Sequence, residues 1–186
     1  MTLEASQRCL TRRRVVVGLT APIAFGWATS AAAATRTAAR ERSILLYHCH
    51  TGELLRTVYF ADGRYLPEAL RTATHHLRDW RDNTERPVDP RLLDLLWSLG
   101  RRLETTAPIQ VFCGYRSPRT NAMLRRTRHG AARHSLHMRA MAVDLQIESR
   151  SLRTVREAAV ALRGGGVGYY PRSGFVHVDT GDIRYW

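Results

Sequence analysis

The tightest constraint in this chain is the side-chain alternation of two short segments in its C-terminal half. Across 140–147, Met141, Val143, Leu145 and Ile147 fall on one phase, and Ala142, Asp144 and Gln146 on the other, because successive side chains of a strand point to opposite faces. In Phe175-Val176-His177-Val178-Asp179, the two valines take one phase and Phe175, His177 and Asp179 take the other. Such a pattern builds a sheet with one apolar face and one face bearing carboxylates and an imidazole. Alternate residues stand about 7 Å apart along a strand, so His177 and Asp179 look into the same space. Pairing the two strands brings Asp144 to His177, and His137, just ahead of the first strand, can swing in beside them. His137, Asp144 and His177 are a ligand set for a first-row metal such as Zn2+, and three protein ligands leave a fourth position open, as in catalytic zinc sites. A histidine and an aspartate on one strand are more often a satisfied polar pair. The conjunction of both elements, with glycines at 164–166, 168 and 174 allowing close backbone approach, favours the metal.

The rest of the chain predicts the scaffold. β-branched and aromatic runs at 43–49 and 54–60 flank His50-Thr51-Gly52-Glu53 as a hairpin, and Ala61-Asp62-Gly63-Arg64 is the next turn. Pro67 opens a helix on which Leu70, Ala73, Leu77 and Trp80 recur at helical spacing. Asp89-Pro90 is an N-cap and first residue, followed by an apolar face of Leu92, Leu93, Leu95, Leu96, Leu99 and Leu103. A strand at 109–113, a helix from Ser117-Pro118 to about His129, a helix through Leu152, Val155, Ala159 and Leu162, and strands at 167–170 and 174–179 complete the series. A chain of 186 residues can bury one ordinary core. The expectation is a single α+β domain with a mainly antiparallel central sheet and flanking helices.

Residues 1–34 read as a targeting segment. Thr11-Arg12-Arg13-Arg14 runs into an apolar stretch at 15–27, and Ala31 to Ala34 supply small residues for cleavage. Gly18, Pro22 and Gly26 interrupt a stretch shorter than the roughly 20 residues of a bilayer span, so no stable membrane span is expected after cleavage. The paired arginines fit the twin-arginine route, hence a periplasmic or cell-envelope protein with a linker at 35–42 and a domain at 43–186. The net charge of +13 is carried by arginine with no lysine, and it stays strongly positive without the leader. This suits attraction to a polyanion; an export signal argues against nucleic acid. Cys49 and Cys113, left after Cys9 departs with the leader, either pair or are buried, inert thiols.

Several motifs carry a family resemblance. Leu46-Tyr47, His50-Thr51-Gly52-Glu53, Leu77-Arg78-Asp79-Trp80-Arg81, Gly114-Tyr115-Arg116-Ser117-Pro118, Ser135-Leu136-His137-Met138, Gly165-Gly166-Val167-Gly168-Tyr169-Tyr170 and Phe175 to Gly181 resemble, in order, the exported murein endopeptidases typified by MepK. These fall within the zinc peptidase superfamily of lysostaphin-type and D-alanyl-D-alanine peptidases, with its D-Ala-D-Ala peptidase/hedgehog-like fold. The resemblance covers about residue 43 to the C-terminus. It implies one Zn2+ on His137, Asp144 and His177, and peptidoglycan as substrate, cut by a D,D- or L,D-endopeptidase or a carboxypeptidase. It also places Arg116, with Tyr115 and Ser135, against the substrate. The chain departs from the pattern at Ala140, where the family has glycine, and at Gly174 and Phe175, where other branches place a general base.

With neither of those residues able to take a proton, Asp179 is the first candidate for base or for orienter of His177, and His134 the second. His48-Cys49-His50 can set two imidazoles on one strand face as a weaker second metal site. His75 and His76 read as surface residues, and His129 as a helix-end histidine. The alternative to a hydrolase is a non-catalytic, zinc-stabilised wall-binding domain.

Overall fold

The computed structural model describes residues 41–127 and 132–186. The expected export segment, most of the linker and His129 lie outside the described residues. The elements are β1 (Arg42–His48), β2 (Leu54–Ala61), β3 (Arg64–Tyr65), α1 (Pro67–His76), α2 (Pro90–Arg102), β4 (Ile109–Cys113), α3 (Pro118–Thr127), a 3-10 turn (Leu136–Arg139), β5 (Ala142–Gln146), α4 (Leu152–Leu162), β6 (Gly166–Tyr170), β7 (Phe175–Asp179) and β8 (Arg184–Tyr185). The strands form one sheet in the order β3-β2-β1-β4-β5-β7-β6-β8. It is antiparallel except where β1 meets β4 and β6 meets β8. This is the anticipated α+β class. The two edge strands β3 and β8 are too short for a period of two to be read.

Local chemistry accounts for the connections. The β1–β2 turn closes with the Gly52 N–H donating to His48 O and the His48 N–H to Glu53 O, Gly52 having φ +74°. At the β2–β3 turn Asp62 and Gly63 both have positive φ, 51° and 78°, the requirement of a two-residue hairpin loop that matches strand twist. Asp89 Oδ1 accepts from the Arg91 N–H at the start of α2, ahead of Pro90. β5 is shorter than expected, because Ala140 ends the 3-10 turn in the left-handed region at φ 53°. α1 likewise stops at His76, with Leu77 as its C-cap.

One face of the sheet is the core. Leu46, Val111, Val143, Leu145, Val176 and Val178 pack with Leu92, Leu96 and Leu99 of α2 and Val155 and Ala159 of α4, all buried. Each fully buried leucine contributes about 1.5–3 kcal/mol relative to exposure. One polar reading changes, and one open alternative closes. His76 is buried rather than on the surface, whereas His75 is exposed and meets Glu85 at 2.7 Å. Cys113 has a free thiol, so it does not pair with Cys49.

Asp94 on α2 ties three strands to that helix. Its carboxylate accepts from Arg42 Nη1 at 2.7 Å, the Tyr59 hydroxyl at 2.8 Å and the Tyr65 hydroxyl at 2.6 Å. Tyr59 is completely buried, and burial, then Asp94, pushes its phenol far above the usual range. Removing the acceptor strands a buried hydroxyl, which costs about 1–3 kcal/mol. Asp94→Ala is therefore expected to lower the denaturant midpoint by that equivalent without changing the slope, and Asp94→Asn, which keeps an acceptor, to lose less. Equal midpoints for Asp94→Ala and the parent chain would contradict this.

Candidate metal centre

Three backbone devices bring the site together on the sheet face opposite the core. β5 and β7 pair in the register that sets Asp144 directly across from His177. The 3-10 turn ahead of β5 is capped by Ser135 Oγ, which accepts from the His137 N–H at 3.3 Å. The loop after β4 supplies the third, with Gly114 O accepting from His137 Nδ1 at 2.7 Å and the Arg116 N–H donating to His137 O at 3.1 Å. Gly114 is required there, since a Cβ would lie 2.5 Å from Leu77 O. That loop is held from outside by Asp79 Oδ2, which accepts from the Ser117 N–H at 2.8 Å, and by Asp82, which accepts from Ser117 Oγ at 2.5 Å.

The result is three donor atoms around one point. His137 Nε2 lies 3.2 Å from Asp144 Oδ1 and 3.2 Å from His177 Nδ1, and the last two atoms are 2.9 Å apart. The edge of a tetrahedron with zinc–ligand bonds of ~2.0–2.1 Å is about 3.3 Å. Hydrogen-bond partners fix the tautomers of the neutral rings. Gly114 O can only accept, so His137 Nδ1 carries the hydrogen and Nε2 the lone pair. Asp179 Oδ2, 3.0 Å from His177 Nε2, likewise leaves the lone pair on Nδ1. Two lone pairs and a carboxylate oxygen thus face one another with no hydrogen among them. This arrangement suits a divalent cation and repels itself otherwise.

The electrostatics agree. Burial opposes ionisation of Asp144, but His137 and then His177 outweigh it and hold the carboxyl far below its usual range. Burial also opposes charge on His137, yet Asp144 and Cys113 outweigh it and raise that imidazole well above 6.5.

Sequence reasoning missed one member of this cluster. A donor atom from each of Cys113, His137 and Asp144 lies within 4.8 Å of the others, and all three residues are buried. Strict alternation puts Cys113 on the same core side as Val111. Instead the β4–β5 register shifts, from Val111 opposite Leu145 to Cys113 opposite Asp144, leaving Phe112 as the extra residue. Such a bulge re-aims the following side chain. Arg116 completes the wall, with Nη2 3.5 Å from Cys113 Sγ and 3.8 Å from Asp144 Oδ2, and Nη1 3.4 Å from Asn121 Oδ1. Its Nε is buried without a partner. Burial works against the thiolate, but His137 and Arg116 lower the Cys113 pKa below its ordinary value.

Asp179 is fully buried and saturated. Oδ1 accepts from the Gly166 and Gly181 N–H groups and Arg184 Nη1, while Oδ2 accepts from His177 Nε2 and, at 2.7 Å, Arg184 Nη2. Burial disfavours its charge, but the His177 and backbone hydrogen bonds bring its pKa down to about 2. Trp186 covers the outer side of His177, ring centroids 5.4 Å apart. His134 is exposed on the loop entering the 3-10 turn, and Tyr115 is buried beside a cleft of about 520 Å³ also lined by Glu85, Arg86, Asp89, Arg139 and Met141. The weaker second site does not assemble on His48 and His50. Their ring centroids are 6.1 Å apart, and His48 Nδ1 accepts from the His50 and Thr51 N–H groups at 3.3 and 3.4 Å, which leaves that neutral ring no lone pair for a metal.

Comparison with known proteins identifies the family. The family model described as peptidoglycan L,D-endopeptidase MepK matches residues 36–186. The peptidoglycan L,D-endopeptidase MepK of Escherichia coli (strain K12) is 45% identical over 154 residues, 82% of this chain and 84% of that protein. The probable peptidoglycan L,D-endopeptidase MepK of Haemophilus influenzae is 38% identical over 148 residues, 79% of this chain and 80% of that protein. By family model and by relatives of matching length alike, the chain belongs to the MepK peptidase family.

Proposed function

We propose that this chain is an exported zinc-dependent peptidoglycan hydrolase that cuts peptide cross-links of the L,D type, the type named for its relatives. The observation that carries the reading is the convergence of His137 Nε2, His177 Nδ1 and Asp144 Oδ1 within 3.2 Å, with their hydrogens turned outward. Zinc held by these three supplies Lewis-acid polarisation of a scissile carbonyl and a water of lowered pKa.

The surrounding residues divide the remaining tasks. Arg116 meets the substrate carbonyl or carboxylate and offsets the negative charge that develops there, its buried Nε being the group in need of a partner. Tyr115 lines the adjoining cleft. Ser135 spends its acceptor on the His137 N–H and keeps a hydroxyl hydrogen for substrate. Asp179 orients His177 instead of accepting a proton, because five donors occupy its oxygens. His134 is our candidate for the proton acceptor. Residues 1–34 serve as a twin-arginine leader to the periplasm or envelope, where the arginine-rich surface is drawn to the acidic wall.

Purified sacculi digested with this protein should release L,D-linked muropeptides, identified by mass spectrometry, and a chelator should stop the release. Binding without products would support a non-catalytic wall-binding domain. His137→Ala and His177→Ala should lose stoichiometric metal, and Asp179→Asn should keep the metal with affinity or turnover reduced about 10–100-fold. Unchanged metal content in both histidine variants would refute the ligand set.

Metal uptake should also release protons at neutral pH. Because the His137 pKa is raised above 6.5, the metal-free ring stays protonated until the pH passes that raised value, and the incoming cation must displace the proton. Affinity should therefore climb with pH through neutrality and level off above the raised pKa. Calorimetric titrations in buffers of different ionisation enthalpy read the released proton directly, and identical heats in all buffers at pH 7 would exclude it. Export is checked by Arg12→Lys with Arg13→Lys, which should leave the uncleaved chain in the cytoplasm.

A further inference from the structure

We propose that Cys113 Sγ is a fourth protein donor at this centre, so that the resting site is closed by the chain's own thiolate; this rests on the metal reading above. Three observations support it. The β4–β5 register shift turns Cys113 away from the core side and sets it across from Asp144. Bulges of this kind recur beside active sites, where they re-aim a side chain. The sulfur lies within 4.8 Å of donor atoms of His137 and Asp144, in a group that does not extend to His177; donors around one zinc stand about 3–4 Å apart, given bonds of ~2.3 Å to sulfur and ~2.0–2.1 Å to nitrogen, so the thiolate would reach the metal by a turn of its own side chain. The residue is buried.

The consequence concerns access of water. Three protein donors leave a fourth position for water, whereas four make the closed arrangement of structural zinc sites. Cys113 therefore competes with water for that position. Arg116 Nη2, 3.5 Å from the sulfur, gives the thiolate a second partner, so it can step off the metal without becoming an unpaired buried anion. The site then has two states, thiolate on the metal and closed, or thiolate on Arg116 and open.

Cobalt(II) reports both halves of the proposal. Metal-free protein loaded with one equivalent of Co2+ should show the near-ultraviolet thiolate-to-cobalt charge-transfer band together with visible ligand-field bands. Cys113→Ser should lose the charge-transfer band and keep the cobalt, and Cys113→Ala serves if the serine variant does not fold. A wild-type protein holding one cobalt but lacking the sulfur band overturns the proposal and leaves the three-ligand reading intact. Failure of wild type to hold cobalt overturns both. At equal zinc content Cys113→Ser should digest sacculi several-fold faster than wild type, and an equal or slower rate rules out a closed resting state.

Discussion

The antiparallel pairing of β5 with β7 holds the rest of the centre in place. It sets Asp144 across from His177, with Val143, Leu145, Val176 and Val178 on the opposite, buried face. Because side chains alternate with a period of two, a slip of one residue would send the carboxylate into the core and the valines into the site. The apolar face thus enforces the polar one. Packing against α2 and α4 fixes the register, and the register fixes the distance between carboxylate and imidazole.

Around that pair, acceptors are placed where they dictate the histidine tautomers. Gly114 O on one side and Asp179 on the other take the outward hydrogens of His137 and His177. Both acceptors are themselves secured. Gly114 lies against the Leu77 backbone, where no Cβ fits. Asp179 is braced by Arg184 and two backbone N–H groups. These anchors are separated in sequence, at the end of α1, after β4 and beside β8, which explains why the MepK-like motifs are spread over most of the domain.

Much of this was legible in the residues. Alternation in 140–147 and 175–179 places Asp144 and His177 on the polar phase, and the Asp89-Pro90 cap with its leucine face marks α2 correctly. What escaped detection depended on local irregularity or on distant partners. The two-residue strands β3 and β8 have no period to read. His76 looked exposed because adjacent helical residues diverge by about 100° and only packing against the hairpin decides which is covered; its ring centroid lies 6.0 Å from that of the buried His48. The five donors on Asp179, which favour the orienting role over that of base, come from segments the local pattern does not reveal.

The sequence by itself determined the α+β class, the positions of the main helices, and the face on which a carboxylate and an imidazole would meet, because these follow from periodicity and from caps within a few residues. Only the tertiary structure decided which hydrogens point away from the centre, that Asp179 is saturated by Arg184, and that Cys113 joins His137 and Asp144. The reason is physical: a bulge reverses the facing of every residue after it, and tautomers are set by acceptors brought in from remote segments.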